Sequence, residues 1–353
     1  GHIAPILRGP TRGAPPAPPH STRGHSDHLR PAEAGTGHTH PMTLARTRNI
    51  QGPHETDPQG YLLTATDDRD LPLQRCGHGD LFDTPGGEDY LVHLCGRPLN
   101  GLQKCPMGRE TGLQETRWSK DGWLRLEGAT GDGLPKLDVS APSIPEQPWP
   151  EASTCHDFDS DELPIEFQWL RSPEPERFMS LRARPGFLRL IGKESLGSWF
   201  EQSLVARRQE AFCFTVETRL EFNPQNFQQS AGLVCYYNAQ KYHYLYVSVD
   251  EEGRRHIDIM SCEGDVNMYS RFPLTEGRRL PEPLDSRFQL PEQGAIWLKC
   301  DVDHQVLIFS WSLDGDHWQR LPITLDYSFI SDEAGKGEGA NFTGAFVGMT
   351  CQD

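Results

Sequence analysis

Long apolar runs are missing from this chain. No stretch of its 353 residues approaches the ~18 consecutive apolar positions that a membrane-spanning helix needs, so no such span is expected. Basic residues are outnumbered, 34 against 50 acids, and the net charge is −16. An acidic surface repels phosphate backbones, which argues against a nucleic-acid partner and suits a neutral ligand without selecting one. There is no Cys-x-x-Cys pair. The nine cysteines are odd in number and widely spaced, which argues against a zinc ribbon or a dense disulfide framework. Buried free thiols in a reducing, cytoplasmic compartment are the plainer expectation. The chain opens on Gly1 without a starting Met, and shows no charged segment leading into an apolar core, so no secretory signal is read and targeting is left open. No amphipathic helix longer than about two turns is evident. Glutamate is absent from the first 32 residues.

What is present falls into stretches of different texture. Residues 1–31 hold seven Pro, four Gly and four Arg, with Asp27 the sole acid. Proline fixes φ and lacks an N–H, so this tract is expected to be disordered or outside the fold. Its histidines (His2, His20, His25 and His28, with His38 and His40 beyond) could suggest metal binding, but such a composition supplies no rigid surround for ligands. From residue 32 short apolar runs alternate with turn residues. MTLART (42–47), GYLLTAT (60–66), DLFDTP (80–85), YLVHLCG (90–96) and GWLRLEG (122–128) read as strands. Repeated short strands without a helical period suggest propeller blades or part of a sandwich. The Pro-rich piece 141–152 reads as a linker. Beyond it, 153–353 is again all β. Its strands include FCFTVETRLEF (212–222), AGLVCYYN (231–238), YHYLYVSVD (242–250), RHIDIMSC (255–262), AIWLKCDVD (295–303) and a run from 306 to 321 broken by the hairpin signal Asp314-Gly315.

Several segments together resemble glycoside hydrolase family 43, of the β-xylosidase and α-arabinofuranosidase type. They are AEAGTGHTHPMTLARTRNIQGPHE (32–55), CGHGDLFDTPGGEDYLVHLCGRPL (76–99), CPMGRETGLQETRWSKDGWLRL (105–126), HDFDSDELPIEFQWLRSP (156–173), the stretch 203–247 and GANFTGAFVGMTCQD (339–353). Each alone is a weak signal; their order and number are specific, and they cover about 32–353. The resemblance implies an all-β protein. Its first part, 32–140, would be the last blades of a five-bladed β-propeller. Its second, 153–353, would be a concanavalin A-like β-sandwich lacking its last strand, with an unpaired edge there.

The resemblance also implies an inverting O-glycosyl hydrolase that cuts terminal pentose bonds of xylan-derived oligosaccharides. Such an enzyme needs one carboxylic acid to protonate the leaving oxygen and a carboxylate to activate water, ~6.5–9.5 Å apart, while a third carboxylate tunes the acid. In the family the acid lies about 17 residues before the Ala-Glu-Gly-Gly-Thr motif. Here that motif's glutamate is Glu33, the first in the chain, and Pro16 stands seventeen positions earlier. No catalytic residue is therefore assigned, and the polypeptide is expected to be inactive, as a truncated gene product or a decayed enzyme. Three residues carry over. Arg109, in Gly-Arg-Glu-Thr, matches an arginine that reaches the family's pocket; the alternative is an ion pair with Glu110 or another acid. His78, in Gly-His-Gly-Asp, matches a histidine that in some members binds calcium through water; the alternative is a satisfied core histidine. Phe342 lies in a Gly-rich loop (335–344) resembling one that lends an aromatic wall to the sugar site; the alternative is an ordinary core Phe. No cofactor is required, and the resemblance leaves room for a structural calcium ion.

Other candidates read more simply as structure. Asp157, Asp159, Asp161 and Glu162 suit a solvated acidic turn better than a catalytic pair. Tyr242, Tyr244 and Tyr246 share one strand face and could stack on sugars, but packing between two sheets is plainer. SLDGDHW (312–318) is chiefly a turn signature. The rival to a hydrolase is a non-catalytic sandwich module that binds carbohydrate or only stabilises a partner. The expected partner is a xylo-oligosaccharide or another pentose glycoside, with no nucleic acid or membrane, and a homo-oligomer is compatible with the chain.

Overall fold

The computed structural model describes residues 28–33, 40–49, 51–128, 133–198, 200–263, 288–334, 341 and 343–353. The described residues are nearly all β, with only two short 3-10 turns, Pro175–Arg177 and Tyr327–Phe329, and no helix long and apolar enough to cross a membrane. Two compact units form, and neither is continuous in sequence. The first comprises Gly1–Asp67, Arg75–Leu94 and Thr111–Pro145, and the second Asp68–Gln74, Cys95–Glu110 and Glu146–Asp353.

In the first unit, β1 (His28–Glu33), β2 (Met42–Thr47) and β3 (Glu55–Leu63) pair antiparallel in the order β1-β2-β3. Strand β1 takes in His28 to Pro31, residues that composition placed outside the fold. Pro31 stands opposite Leu44. Among the described residues β1 is an edge strand, where a missing N–H need not break a ladder. A second sheet joins β4 (Gln74–Asp83), β5 (Asp89–Gly96), β6 (Glu110–Trp118) and β7 (Leu124–Leu126) in chain order, as a meander. Met42, Leu44, Leu62, Leu63, Tyr90, Leu91 and Trp123 are buried in this unit. Asp57 is buried too, and Arg125 grips it with both terminal nitrogens, at 2.5 and 3.1 Å.

The second unit is a two-sheet sandwich. Its strands begin with β8 (Phe167–Trp169), the small pair β9 (Met179–Ser180) and β10 (Arg189–Leu190), β11 (Ser203–Arg208) and β12 (Cys213–Leu220). They continue with β13 (Ser230–Asn238), β14 (Lys241–Val249), β15 (Arg255–Glu263) and β16 (Phe288–Gln289). The last four are β17 (Ile296–Asp303), β18 (Val306–Ser312), β19 (Gln319–Asp326) and β20 (Phe346–Gln352). One sheet runs β16-β15-β14-β13-β20-β11-β8, and the other β12-β17-β18-β19.

Period-2 alternation sets which side chains enter the core. Along β17, Ile296, Leu298, Cys300 and Val302 point inward and are buried, while Lys299 and Asp301 do not. They meet Leu233, Cys235, Leu245, Val247, Ile257 and Ile259 of the larger sheet across the core. Burying each such side chain is worth ~1.5–3 kcal/mol. Strands β13 and β14 are buried on both faces, because a second cluster covers the larger sheet from outside with Leu196 and Leu170. Tyr242 and Tyr244 belong to that outer cluster, and Tyr246 packs against it. The tyrosines therefore pack as structure, though outside the sheet rather than between the sheets, and Tyr242 and Tyr244 are fully buried. The chain's final strand is not an edge: β20 is paired on one side with β13 and on the other with β11. None of the nine cysteines is in a disulfide, and seven of them are buried.

Candidate functional site

The segment 95–110, which joins β5 to β6, is shaped by its own turns. Leu99 N–H reaches Lys104 O at 2.7 Å, Leu102 N–H reaches Leu99 O, and Gly108 N–H reaches Cys105 O. Gly101 and Gly108 take positive φ (73° and 68°), which a residue with a Cβ rarely adopts. A Cβ on Gly108 would also collide with the backbone of Gly344, itself at φ 81°.

This segment is stitched to the sandwich loop 326–345 by backbone and charge together. Ala345 N–H donates to Pro106 O at 2.8 Å, Cys105 N–H to Glu333 Oε2 at 2.6 Å, and Lys104 Nζ to Ser328 Oγ at 2.9 Å. Arg208 Nη2 donates to the carbonyls of Met107 and Arg109 at 3.0 and 3.2 Å.

At the centre lies a buried charge cluster. Arg109 Nη1 donates to Asp332 Oδ2 at 2.6 Å, with the side chains 9% and 0% exposed. Tyr237 OH donates to Asp332 Oδ1 at 2.5 Å and accepts from Thr343 N–H at 3.2 Å. Lys241 Nζ donates to Ser331 O at 2.8 Å and lies 4.6 Å from the centre of the Tyr237 ring. Burial pulls the Lys241 ammonium down to about 8, against the attraction of Asp332 and Glu333. Burial, and then the Asp332 charge, push the Tyr237 phenol far up, so it stays a donor.

The Arg109 guanidinium does make a buried ion pair, with Asp332. Glu110 is taken instead by Arg97, at 2.7 Å to Oε1 and 3.0 Å to Oε2. Arg109 thus arrives with its fork oriented by a carboxylate from the sandwich. Phe342 lies outside the described residues, although its neighbour Thr343 touches Tyr237. His78 is exposed on β4 at φ 48°. Calcium takes six to eight oxygen ligands, and among the described residues His78 falls in no group of three His, Cys or carboxylate donors.

The remaining candidates settle as turns. Asp157, Asp159, Asp161 and Glu162 are exposed, and Asp159 N–H is capped by Asp157 Oδ1 at 3.1 Å. In SLDGDHW, Asp314 accepts from the amides of Asp316 and His317 at 2.9 and 2.8 Å. Those bonds hold its carboxyl well below the usual range. Asp332, Tyr237 and Lys241 were not singled out from sequence. The available hint was Ser331-Asp332-Glu333 just before the Gly-rich loop 335–344, an acidic step beside a segment already noted.

Comparison with known proteins fits this arrangement. The sequence model "Beta xylosidase C-terminal Concanavalin A-like domain" matches residues 155–353, and that of "Glycosyl hydrolases family 43" matches 13–124, starting inside the Pro-rich tract. The chain is 41% identical over 330 residues to "Xylosidase/arabinosidase 43B" of Humicola insolens, covering 92% of this chain and 58% of that protein. It is 38% identical to "Beta-xylosidase" of Bacillus subtilis (strain 168), covering 99% of this chain and 64% of the relative. The crystal structure of a xylan beta-1,4-xylosidase from Bacillus halodurans C-125 superposes with TM-score 0.82 at 40% identity, over 93% of this chain and 61% of that one. The chain thus spans roughly three fifths of the length of each of these relatives.

Proposed function

Because the chain belongs to glycosyl hydrolases family 43 and carries that family's β-xylosidase C-terminal concanavalin A-like domain, we propose that it serves a glycosidase releasing terminal xylose or arabinose from xylan-derived oligosaccharides. The observation that supports this most is the pair of family matches, in the family's own order, across both parts of the chain. The names of the relatives point to the same pentose glycosides.

In this reading water is the nucleophile and the anomeric centre inverts. One carboxylic acid protonates the leaving oxygen and one carboxylate deprotonates the water, ~6.5–9.5 Å away. Arg109 binds and orients rather than transferring a proton, since a guanidinium stays charged throughout. Asp332 holds one arm of its fork, and Tyr237 holds Asp332, so the direction of the donors is fixed before a sugar arrives. Phe342 is the proposed aromatic wall of the sugar site.

We further propose that these 353 residues do not themselves hold the acid, base and tuning carboxylates. The purified polypeptide should then leave an aryl xyloside at the buffer rate. Turnover that Arg109→Ala abolishes would overturn this. The same protein separates the glycosidase from its rival, a sandwich that binds sugar elsewhere. Quenching of tryptophan fluorescence by xylo-oligosaccharide should be lost in Arg109→Ala if the family pocket is the site. Quenching that survives the substitution favours the separate module.

A further inference from the structure

A second mixed cluster lies in the sandwich, at the end of the β12–β17 ladder. Cys213 and Asp303 are directly opposed across that ladder, and His304 follows in the two-residue turn that leads to β18. Their donor atoms converge: Cys213 Sγ is 3.2 Å from Asp303 Oδ1 and 3.4 Å from His304 Nδ1, and that Nδ1 is 2.7 Å from the same carboxylate oxygen. Among the described residues this is the one group of three potential metal ligands.

We propose that Cys213, Asp303 and His304 form a binding site for a zinc-class divalent ion. The distances support it. With Zn–S of ~2.3 Å and Zn–N and Zn–O of ~2.0–2.2 Å, tetrahedral ligands stand about 3.4–3.6 Å apart. The observed triangle is slightly smaller, as expected where a shared proton occupies the middle, and needs to open by under about 1 Å. Two of the three positions are fixed by the antiparallel register. The third is fixed by its surround: His304 N–H donates to Phe212 O at 3.0 Å, and the imidazole lies parallel to the Phe212 ring, 5.7 Å between centroids at 7°. That stacking orients Nδ1 toward the thiol and the carboxylate.

The ligand chemistry selects the ion. A thiolate is a soft donor that suits zinc and its neighbours and does not suit calcium or magnesium. Before binding, the Cys213 thiol donates to Asp303 and this bond holds the thiol up, while the His304 hydrogen bond first and the thiol second hold the Asp303 carboxyl down. On binding the S–H ionises and its proton leaves to solvent. His304 gives up the Nδ1 proton that Asp303 accepts and, by exchange with solvent, carries its proton on Nε2 instead, so thiolate, carboxylate and neutral imidazole balance the two charges of the ion and one proton is released in all. Three protein ligands leave the fourth tetrahedral position to water. All three residues are exposed, so the ion would exchange with solvent.

Cobalt(II) titration of the whole chain tests this, because thiolate ligation gives a charge-transfer band that oxygen and nitrogen ligands do not. The expected result is one ion bound with that band, one proton released, and displacement of cobalt by zinc. Cys213→Ser should abolish the band, while Cys155→Ser, at the other exposed thiol, should leave it intact. His304→Ala and Asp303→Asn should each weaken binding by at least about tenfold. Near-ultraviolet circular dichroism of each variant confirms that the sandwich is unchanged. Absence of the band, its persistence in Cys213→Ser, its loss in Cys155→Ser, or unchanged affinity in the other two variants would overturn the proposal.

Discussion

Two clusters in the sandwich unit use similar ingredients to opposite ends. Arg109, Asp332, Tyr237 and Lys241 are buried, and their hydrogen bonds span segments far apart in the chain. Cys213, Asp303 and His304 are exposed, and their bonds join neighbouring ends of a ladder. In the first, desolvation makes every partner indispensable, because a charge left alone in the interior cannot turn to water. In the second, water can replace any partner at small cost, so the donors stay available to a ligand. Burial, more than residue type, separates a cluster that fixes geometry from one that can exchange what it holds.

The contrast can be broken most directly at Asp332. Asp332→Leu leaves the Arg109 charge buried without its carboxylate, and chemical denaturation should register a loss of ~3–5 kcal/mol. The double variant Asp332→Leu/Arg109→Met should recover most of that loss, whereas Asp303→Asn at the rim should stay within ~0.5 kcal/mol of the parent. Recovery failing in the double variant would mean that the pair is not the reason for the cost.

Acid should separate buried from exposed groups next. His243 is fully buried between Ser261 Oγ and Asp326 O, and burial pulls its imidazole down to about 4 from 6.5. Between those values the unfolded chain binds more protons than the folded one, so stability falls as pH drops from 6.5 to 4. The loss approaches ~3 kcal/mol. His243→Gln should flatten that limb of the stability profile. An unchanged acid limb in His243→Gln would remove this residue as its cause.

A smaller effect sharpens the picture inside the buried cluster. Tyr237→Phe removes one donor to an ionised carboxylate and should cost ~1.5–3 kcal/mol, with Arg109 still paired. A cost near zero would show that Asp332 is held by Arg109 alone.

Much of the sandwich could be read from the chain before any coordinates. The alternation in IWLKCDVD marked a half-buried strand, and Asp314-Gly315 marked a hairpin, because each is a local pattern with a local cause. Tyr242, Tyr244 and Tyr246 were correctly placed on one face. The face itself was expected to point between the sheets and points outward instead, because β14 is buried on both sides. Composition misjudged His28 to Pro31, because an edge strand tolerates what an interior strand would not. The site was the least legible part. Arg109 and Asp332 lie 223 positions apart, and Cys213 and Asp303 lie 90 apart. No window of sequence contains either pair; only strand register and loop packing bring them together.

The tie between 95–110 and the loop 326–345 has a practical consequence for anyone cutting this protein apart. The Pro-rich segment near 145 invites a cut, and a fragment starting there would look like a complete sandwich. It would lack Lys104, Cys105, Met107 and Arg109, and so leave the buried Asp332 and the half-buried Glu333 facing no cation or amide from that segment. Such a fragment should express poorly or open at that loop, and adding back 95–110 as a separate peptide should rescue it. The boundary written in the sequence is a place where the chain is easy to cut, and the unit that folds is defined elsewhere.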